Sequence, residues 1–272
     1  MKTVILCGGQ GTRLREETEF RPKPLVEVGG RPVLWHVMKT YAHYGFDKFV
    51  LCLGYKGSMI KDYFLNYDAM NNDFTIGLGG RRKVEFLGEH DEQDFQVTLA
   101  DTGQDTMTGG RVRRIKKYIG DDSTFMVTYG DGLSDVDVVK LVNFHRRHGK
   151  LATVTAMKPT SRFGLLGLDE NDQVTQFAEK PTVDGWASAG YFIFDRAIFN
   201  YLGTSDDCIL EREPLERLAA EGELVAYRHD GFFFAMDTYR ECKMLNELWD
   251  KGEAPWAVWR KEGGKHGYQL AG

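Results

Sequence analysis

Four segments of this chain consist almost entirely of apolar and β-branched residues, and they constrain the fold more than any other feature. They span residues 3–7, 49–53, 124–129 and 151–157, and segments with helical spacing of apolar residues lie between them. A strand that is apolar on both faces must be covered on both faces, which is typical of a parallel sheet joined by helices. The sequence therefore predicts an α/β fold with helices on both sides of the sheet.

The remaining pattern predicts further elements around this sheet. Helices are expected at residues 33–45, 58–67, 135–148, 210–221 and 238–250, and strands at 83–87, 94–99 and 224–228. Between residues 163 and 195, short strands separated by turns indicate a smaller antiparallel extension. No linker or repeat interrupts the 272 residues, so we expect one domain over 1–272.

Composition excludes several classes of protein. The formal net charge of −5 argues against a nucleic-acid-binding protein, so any positive site must be a local patch. No apolar run is long enough to cross a membrane, and residues 4–7 are too short for the apolar part of a signal peptide. The four cysteines lack CxxC spacing. We therefore expect Cys7 and Cys52, which end apolar strands, to be core thiols in a cytoplasmic protein.

A glycine-rich turn, Gly8-Gly9-Gln10-Gly11-Thr12-Arg13, follows the first strand directly. Such turns let backbone N–H groups approach a phosphate. Leu14 stands where the dinucleotide pattern GxGxxG needs its last glycine, and the Gly-Lys-Ser/Thr ending of a P-loop is absent. The turn is either a different phosphate-binding loop or an ordinary turn.

Three charged residues favour the phosphate-binding interpretation. Lys23 lies between Pro22 and Pro24, so its backbone is stiff and extended. Asp131 follows a buried strand, at the edge where ligands bind in open α/β sheets. Asp237 lies just before a predicted helix, where it is either a helix N-cap or a second ligand. Two carboxylates meeting at one site suit Mg²⁺.

These motifs, together with an EKP segment at residues 179–181 and an MDT segment at 236–238, resemble the nucleoside-triphosphate sugar-1-phosphate nucleotidyltransferases over nearly the whole chain. The stretches 101–111 and 125–132, the Gly-Tyr-Lys-Gly segment ending at residue 57 and residues 254–256 are similar to the cytidylyltransferases of that family that act on glucose 1-phosphate. The resemblance implies a Rossmann-like, mainly parallel mixed sheet and in-line attack of a sugar phosphate oxygen on the α-phosphorus of CTP, with Mg²⁺ as cofactor. It also implies a nucleotide-binding part over about 1–150, a sugar-phosphate-binding part over about 151–240, and a C-terminal helix and tail over about 241–272.

The resemblance also implies a role for each site residue. Four are expected to be catalytic: Arg13, Lys23, Asp131 and Asp237, the two aspartates as metal ligands. The nucleotide is expected to contact Leu6, Cys7, Gly8, Gly9, Gln10, Gly11, Thr12, Arg13, Lys23, Thr106, Arg111 and Gly130. The sugar phosphate is expected to contact Gly164, Glu179, Lys180 and Gly190.

Hydrogen-bond polarity suggests how cytosine is selected. Cytosine offers acceptors at O2 and N3, whereas uracil and thymine present N3–H. Arg111 only donates and could pair with O2 and N3 of cytosine. Backbone groups near Thr106 are the second possibility. Ala187-Ser188-Ala189-Gly190 lacks the asparagine that the family pattern has before its glycine, so a modified hexose or another sugar phosphate stays open as the sugar substrate.

Other functions stay open at this point. A uridylyl- or thymidylyltransferase is the nearest alternative, and a non-catalytic sensor of nucleotide sugars is the alternative from another class. The resemblance also implies a homo-oligomer, and Trp256 and Trp259 are expected to be exposed and available to a neighbouring subunit. His145 and His148 are expected to be solvated at a charged helix end, and His36 to be structural.

Overall fold

A central β-sheet with helices on both faces organises the computed structural model, which describes residues 1–79, 83–92, 94–161 and 163–261. Its strands are β1 (Thr3–Leu6), β2 (Glu27–Val28), β3 (Arg31–Pro32), β4 (Lys48–Leu53), β5 (Phe74–Gly77), β6 (Lys83–Phe86), β7 (Gln96–Asp101), β8 (Thr124–Tyr129), β9 (Gly132–Ser134), β10 (Ala152–Met157), β11 (Leu165–Leu168), β12 (Val174–Ala178), β13 (Ala187–Asp195), β14 (Leu224–His229) and β15 (Phe233–Ala235). Its helices are α1 (Arg15–Thr18), α2 (Val33–His43), α3 (Gly57–Leu65), α4 (Tyr67–Asn71), α5 (Thr108–Arg114), α6 (Lys116–Ile119), α7 (Val138–His148), α8 (Glu213–Ala220), α9 (Tyr239–Asp250) and α10 (Val258–Lys261). The predicted tail beyond residue 261 lies outside the described residues.

The main sheet has seven strands in the order β14-β10-β13-β8-β1-β4-β7. Strands β8, β1, β4 and β7 pair in parallel, as do β10 and β14, while β13 runs antiparallel to both of its neighbours. The carboxyl ends of β1, β4, β7 and β8 therefore meet at one edge of the sheet. The predicted mainly parallel mixed sheet is confirmed.

Both faces of the sheet are buried, as the apolar strands predict. In β1, Ile5 packs into one hydrophobic core, while Val4 and Leu6 pack into the other on the opposite face. In β13, Phe192 and Phe194 likewise join one core, and Ile193 the other. Alternate side chains of a strand point to opposite faces, so each strand contributes to both layers.

The prediction for residues 163–195 is correct for its first part only. Strands β11 and β12 form a separate antiparallel hairpin, but β13 is a nine-residue strand inside the main sheet. Its residues 189–194 are all buried, which explains why it joins the sheet. The predicted helix at 58–67 ends at Leu65 as α3, and the short helix α4 follows it.

Two expectations about exposed aromatic side chains are wrong. Trp256 is fully buried, and its Nε1–H donates to Nδ1 of His36 at 3.2 Å, so it is not available to a neighbouring subunit. His145 is also buried, since it lies on the apolar face of α7 and bonds Thr153 of β10 at 2.8 Å. His36 is structural, as predicted.

Across the described ranges, none of the helices combines the length and the apolar character needed to span a lipid bilayer.

Candidate active site

A cavity of about 320 Å³ opens at the carboxyl ends of the parallel strands. It is lined by Leu6, Cys7, Gly8, Gly9, Gly11, Thr12, Arg13, Lys23, Pro24, Thr106, Met107, Thr108, Arg111, Tyr129, Gly130 and Asp131. Most residues predicted to bind the nucleotide thus lie around one space. Gln10 does not, because it lines a separate cavity beside Arg15 and Tyr55.

The glycine-rich loop is shaped by two short 3-10 helices that follow it. Gly11 has a φ of +62°, a left-handed conformation that suits glycine, and its carbonyl accepts from the backbone N–H of Leu14 at 3.0 Å and the hydroxyl of Thr18 at 3.1 Å. The second 3-10 helix, Lys23–Leu25, starts after extended Pro22. These turns fix the backbone from which Arg13 and Lys23 enter the site.

Lys23 contacts both predicted carboxylates, and Arg13 contacts one of them. Lys23 Nζ donates to Oδ1 of Asp237 at 2.8 Å and also to Oδ2 of Asp131. Arg13 Nη1 donates to the other oxygen of Asp237 at 2.6 Å. The structure therefore joins all four predicted catalytic residues in one network.

Charge compensation holds Lys23 in its protonated form. Burial alone would lower the pKa of its ammonium, but the attraction of Asp131 and the hydrogen bonds to Asp131 and Asp237 outweigh burial and raise the pKa above its usual value. Lys23 is therefore a fixed positive charge at the cavity wall, and its neutral form plays no part at ordinary pH.

The two aspartates come from a short antiparallel ribbon, strands β9 and β15. Asp131 comes directly before β9, and Asp237 follows β15 by two residues. The helix N-cap at this point is Thr238, which forms a capping box with Glu241, so Asp237 is not the cap. Its backbone N–H donates to Glu241 at 2.7 Å, and its carboxylate faces Lys23 and Arg13.

Arg111 is buried and donates to protein acceptors on three sides. The two hydrogens of Nη1 are shared among three acceptors, and those of Nη2 have one each, at distances of 2.8–3.0 Å. The acceptors are the carbonyls of Gly8, Leu53, Gly103 and Gln104 and the hydroxyl of Thr102. Arg111 therefore joins the carboxyl ends of β1, β4 and β7.

This position changes the interpretation of Arg111 as the residue that selects the base. The Nη hydrogens of Arg111 already have protein acceptors. Its Nε–H is the one guanidinium donor without an acceptor among the described residues. A Cβ atom on Gly8 would overlap the guanidinium, so the glycine at this position allows the close approach of Arg111. The contact of Arg111 with cytosine stays a prediction, and the structure adds a role in shaping the cavity wall.

The predicted sugar-phosphate residues fall into two groups. Gly190 has a φ of +73° and packs against the ring of Tyr129, which lines the cavity. Gly164 and Glu179 lie together beside the exposed hairpin of β11 and β12, and Lys180 has a φ of +46°. None of the three residues of this second group lines the cavity.

Four residues that line the cavity were not predicted from the sequence. Met107 and Thr108 line the cavity at the start of α5, and the Thr108 hydroxyl is anchored by Glu211 at 2.6 Å and by the N–H of Leu210 at 2.9 Å. Tyr129 and Pro24 complete the wall. Met107 and Thr108 directly follow Thr106 in the sequence, so both could have been predicted from that position.

The donor set suits a divalent cation. Two carboxylates already share one positive partner, Lys23 Nζ, and carboxylate oxygens are the ligands that Mg²⁺ prefers beside phosphate oxygens and water. No cluster of three or more acidic, histidine or cysteine side chains suited to a metal is found in the described part of the chain. Asp131 and Asp237 thus fit a metal that completes its coordination with ligand oxygens.

A glycine-rich loop that lines one cavity, joined to a network of two cations and two carboxylates, defines an enzyme that handles phosphate esters. The chain belongs to the nucleotidyl transferase family, whose model matches residues 2–231. The family assignment made from the sequence motifs is confirmed.

Particular relatives are similar over most of their length. A glucose-1-phosphate cytidylyltransferase of Salmonella typhi is 45% identical over 260 residues, which cover 95% of this chain and all of that protein. A mannose-1-phosphate guanyltransferase of Aspergillus oryzae is 30% identical over 86% of this chain and 60% of its own length. The crystal structure of HddC from Yersinia pseudotuberculosis complexed with GMP-PN has a TM-score of 0.65 at 22% identity, covering 91% of this chain and 99% of that one. This last likeness shows the fold alone.

Proposed function

We propose that this protein transfers CMP from CTP to glucose 1-phosphate, giving CDP-glucose and pyrophosphate. The observation that carries the proposal is the convergence of Arg13 and Lys23 on Asp131 and Asp237 beside a glycine-rich loop. The 45% identity to a glucose-1-phosphate cytidylyltransferase supports the choice of both substrates.

In this proposal the protein catalyses by positioning and by charge stabilisation, without a covalent nucleophile. A phosphate oxygen of the sugar attacks the α-phosphorus in line, and the bond to pyrophosphate breaks. Lys23 contacts the α-phosphate, and Arg13 contacts the phosphates that leave. Both cations exchange carboxylate partners for phosphate oxygens when the nucleotide binds.

Mg²⁺ is the proposed cofactor, and Asp131 and Asp237 would hold it. When bound, the metal supplies positive charge that offsets the charge developing on the phosphate oxygens. The paired strands β9 and β15 bring the two backbones side by side, and both carboxylates reach Lys23.

The base is proposed to lie in the part of the cavity wall between Gly8, Thr106 and Arg111. Backbone groups have a fixed hydrogen-bond polarity, so a backbone contact at Thr106 can distinguish cytosine from uracil. Thr106 is buried, and Arg111 holds the neighbouring carbonyls in place. An unmatched buried donor or acceptor costs about 1–3 kcal/mol, which is enough to favour one base.

The sugar phosphate is proposed to contact Glu179 and Lys180, with Gly164 and Gly190 shaping its site. We also propose that residues of about 1–150 bind the nucleotide and that residues of about 151–240 bind the sugar phosphate.

We further propose a cytoplasmic homo-oligomer. All four cysteines are free thiols, which suits that compartment, and exposed Phe163 and Phe177 offer apolar area for a neighbouring subunit.

A pyrophosphate-release assay tests the proposal. The purified protein is given glucose 1-phosphate, Mg²⁺ and CTP, UTP or dTTP in turn. Release with CTP above the other two supports the proposed function, and higher release with UTP or dTTP points to the uridylyl- or thymidylyltransferase. Tight nucleotide binding without release with any triphosphate identifies the sensor.

A further inference from the structure

The ribbon that carries both catalytic carboxylates is closed by a second set of contacts at its other end. Strands β9 and β15 pair over three residues each, from Ala235 opposite Gly132 to Phe233 opposite Ser134. At the cavity end, the N–H of Met236 donates to the carbonyl of Asp131 at 3.0 Å. A two-stranded ribbon this short is not stable by itself, so its position depends on what holds it.

The far end of the ribbon is held by an ion pair between His229 and Asp135. Nε2 of His229 lies 3.1 Å from Oδ1 of Asp135, and the same oxygen accepts from the N–H of Phe232 at 2.7 Å. The hydroxyl of Ser134 donates to the carbonyl of Phe232 at 2.8 Å and lies 3.3 Å from His229 Nε2. The Asp135 carboxylate therefore bonds the backbone N–H of Phe232, next to β15, and also pairs with the side chain of His229.

These contacts also join the ribbon to the main sheet. His229 is the last residue of β14 and lies opposite Met157 in the parallel pair of β14 with β10. A rigid strand thus supplies the histidine, and the ribbon supplies the aspartate. The hydroxyl of Tyr191, in β13, donates to the carbonyl of Gly132 at 2.9 Å and anchors the cavity end in the same way.

The surroundings favour the charged form of the pair. Burial alone would lower the pKa of His229, yet the hydrogen bond and attraction of Asp135 raise it above its usual value. The pKa of Asp135 is lowered by the reciprocal contacts, although burial alone would raise it. A Cβ atom on Gly231 would overlap both side chains, so glycine at that position leaves room for the pair.

We propose that His229 and Asp135 are positioning residues that set the placement of Asp131 and Asp237 for nucleotidyl transfer, an inference that rests on the proposed function. Neither residue touches the substrates in this account. Asp135 is four residues from Asp131, roughly 13 Å along an extended chain, so its effect is transmitted by the ribbon. Loss of the pair lets the ribbon shift and separates the two carboxylates that share Lys23.

The experiment compares His229→Ala, His229→Gln and Gly231→Ala with Glu223→Gln. Glutamine retains an N–H donor for Asp135, and alanine at 231 forces the pair apart without removing it. Glu223→Gln is the matched control, because it weakens the ion pair with Lys150 (3.0 Å) at the other end of β14. For each variant, kcat, KM for glucose 1-phosphate and the unfolding temperature are measured. Mn²⁺ binding is measured by electron paramagnetic resonance with CTP and no sugar phosphate.

We expect His229→Ala and Gly231→Ala to lower kcat and weaken Mn²⁺ binding by about tenfold or more, with KM for glucose 1-phosphate little changed. His229→Gln should recover part of both losses, and Glu223→Gln should change only the unfolding temperature. If His229→Ala does not fold, Gly231→Ala decides the question. The proposal is overturned if folded variants keep wild-type kcat and Mn²⁺ affinity. Failure of the wild-type protein to make CDP-glucose would overturn the proposed function instead, and the Mn²⁺ titration, which needs no turnover, would still test the positioning.

Discussion

Lys23 Nζ donates to Oδ1 of Asp237 at 2.8 Å, across 214 positions of the sequence, and the same ammonium also pairs with Asp131. The lysine is therefore the counterion of the two carboxylates proposed to hold Mg²⁺. A divalent cation and this ammonium compete for the same oxygens. The nucleotide relieves the competition, because its phosphates give the lysine new partners.

We predict that Lys23→Met strengthens Mn²⁺ binding to the nucleotide-free protein and lowers kcat more than it raises KM for CTP. Removal of the ammonium leaves both carboxylates to the metal, while the transition state loses a positive charge near the α-phosphate. Titration of Mn²⁺ by electron paramagnetic resonance and steady-state kinetics measure the two effects. Lys39→Met is the matched control, since Lys39 is equally buried and pairs with Glu92 at 2.9 Å. Unchanged Mn²⁺ affinity in Lys23→Met would contradict the competition.

Asp131→Asn and Asp237→Asn should each lower kcat by about 100-fold or more while the protein stays folded. Each substitution keeps the shape of the side chain and removes one of the two negative charges offered to the metal. Turnover at saturating Mg²⁺ and circular dichroism provide the measurements, with Asp122→Asn as the control, because Asp122 pairs with Lys2 elsewhere. Near-normal turnover of either active-site variant would remove that aspartate from the metal site.

Arg111→Ala should reduce the free energy of unfolding by about 2–4 kcal/mol and weaken the use of CTP and UTP alike. The substitution removes the donor of the Gly103 and Gln104 carbonyls, while the Leu53 and Gly8 carbonyls keep backbone N–H donors, so part of the cavity wall loses its support. Urea denaturation measures the stability, and kcat/KM with each triphosphate measures the preference. A narrower gap between CTP and UTP in the variant would show that Arg111 reads the base itself.

The free energy of unfolding should decrease as the pH drops from neutral toward 5, in part because His36 takes up a proton in the unfolded chain and not in the folded protein. Burial lowers the pKa of His36 to about 4, and its Nδ1 accepts a hydrogen bond from Trp256, so the folded protein keeps this ring neutral. The unfolded chain takes up the proton near its usual pKa of about 6.5, so the folded state is disfavoured at pH below that value, by about 2 kcal/mol at pH 5.

Urea denaturation at neutral pH and at about pH 5 checks this sign and size. His36→Gln keeps an N–H donor for Val28 but does not titrate, so its loss of stability over this pH range should be smaller by about 2 kcal/mol. Equal losses in the wild-type protein and the variant would show that His36 is protonated equally in both states.

The sheet and the acidic residues could be predicted because each depends on a local pattern. Apolar strands predict burial on both faces, and a strand followed by a glycine predicts a residue at the carboxyl edge, as for Asp131. Val138, Val142 and His145 have the spacing of one buried face of α7, so the burial of His145 could have been predicted. The charged residues next to His145 in the sequence led to the opposite prediction.

Other features could not be predicted because they depend on contacts between distant segments. The sequence around Arg111 shows a basic helix and does not show that its partners are carbonyls following three strands. Trp256 is buried by distant residues, among them His36, Phe232 and Trp249, and its own neighbours in the sequence do not show this. The ion pair of His229 and Asp135 likewise joins segments 94 positions apart.

Competition among nucleotides tests the central claim most directly. The purified protein is incubated with glucose 1-phosphate, Mg²⁺ and equal concentrations of CTP, UTP and dTTP, and the nucleotide sugars formed are identified by mass spectrometry at low conversion. We predict that CDP-glucose is the main product, because the ratio of products reports the ratio of kcat/KM values. A main product of UDP-glucose or dTDP-glucose would contradict the account.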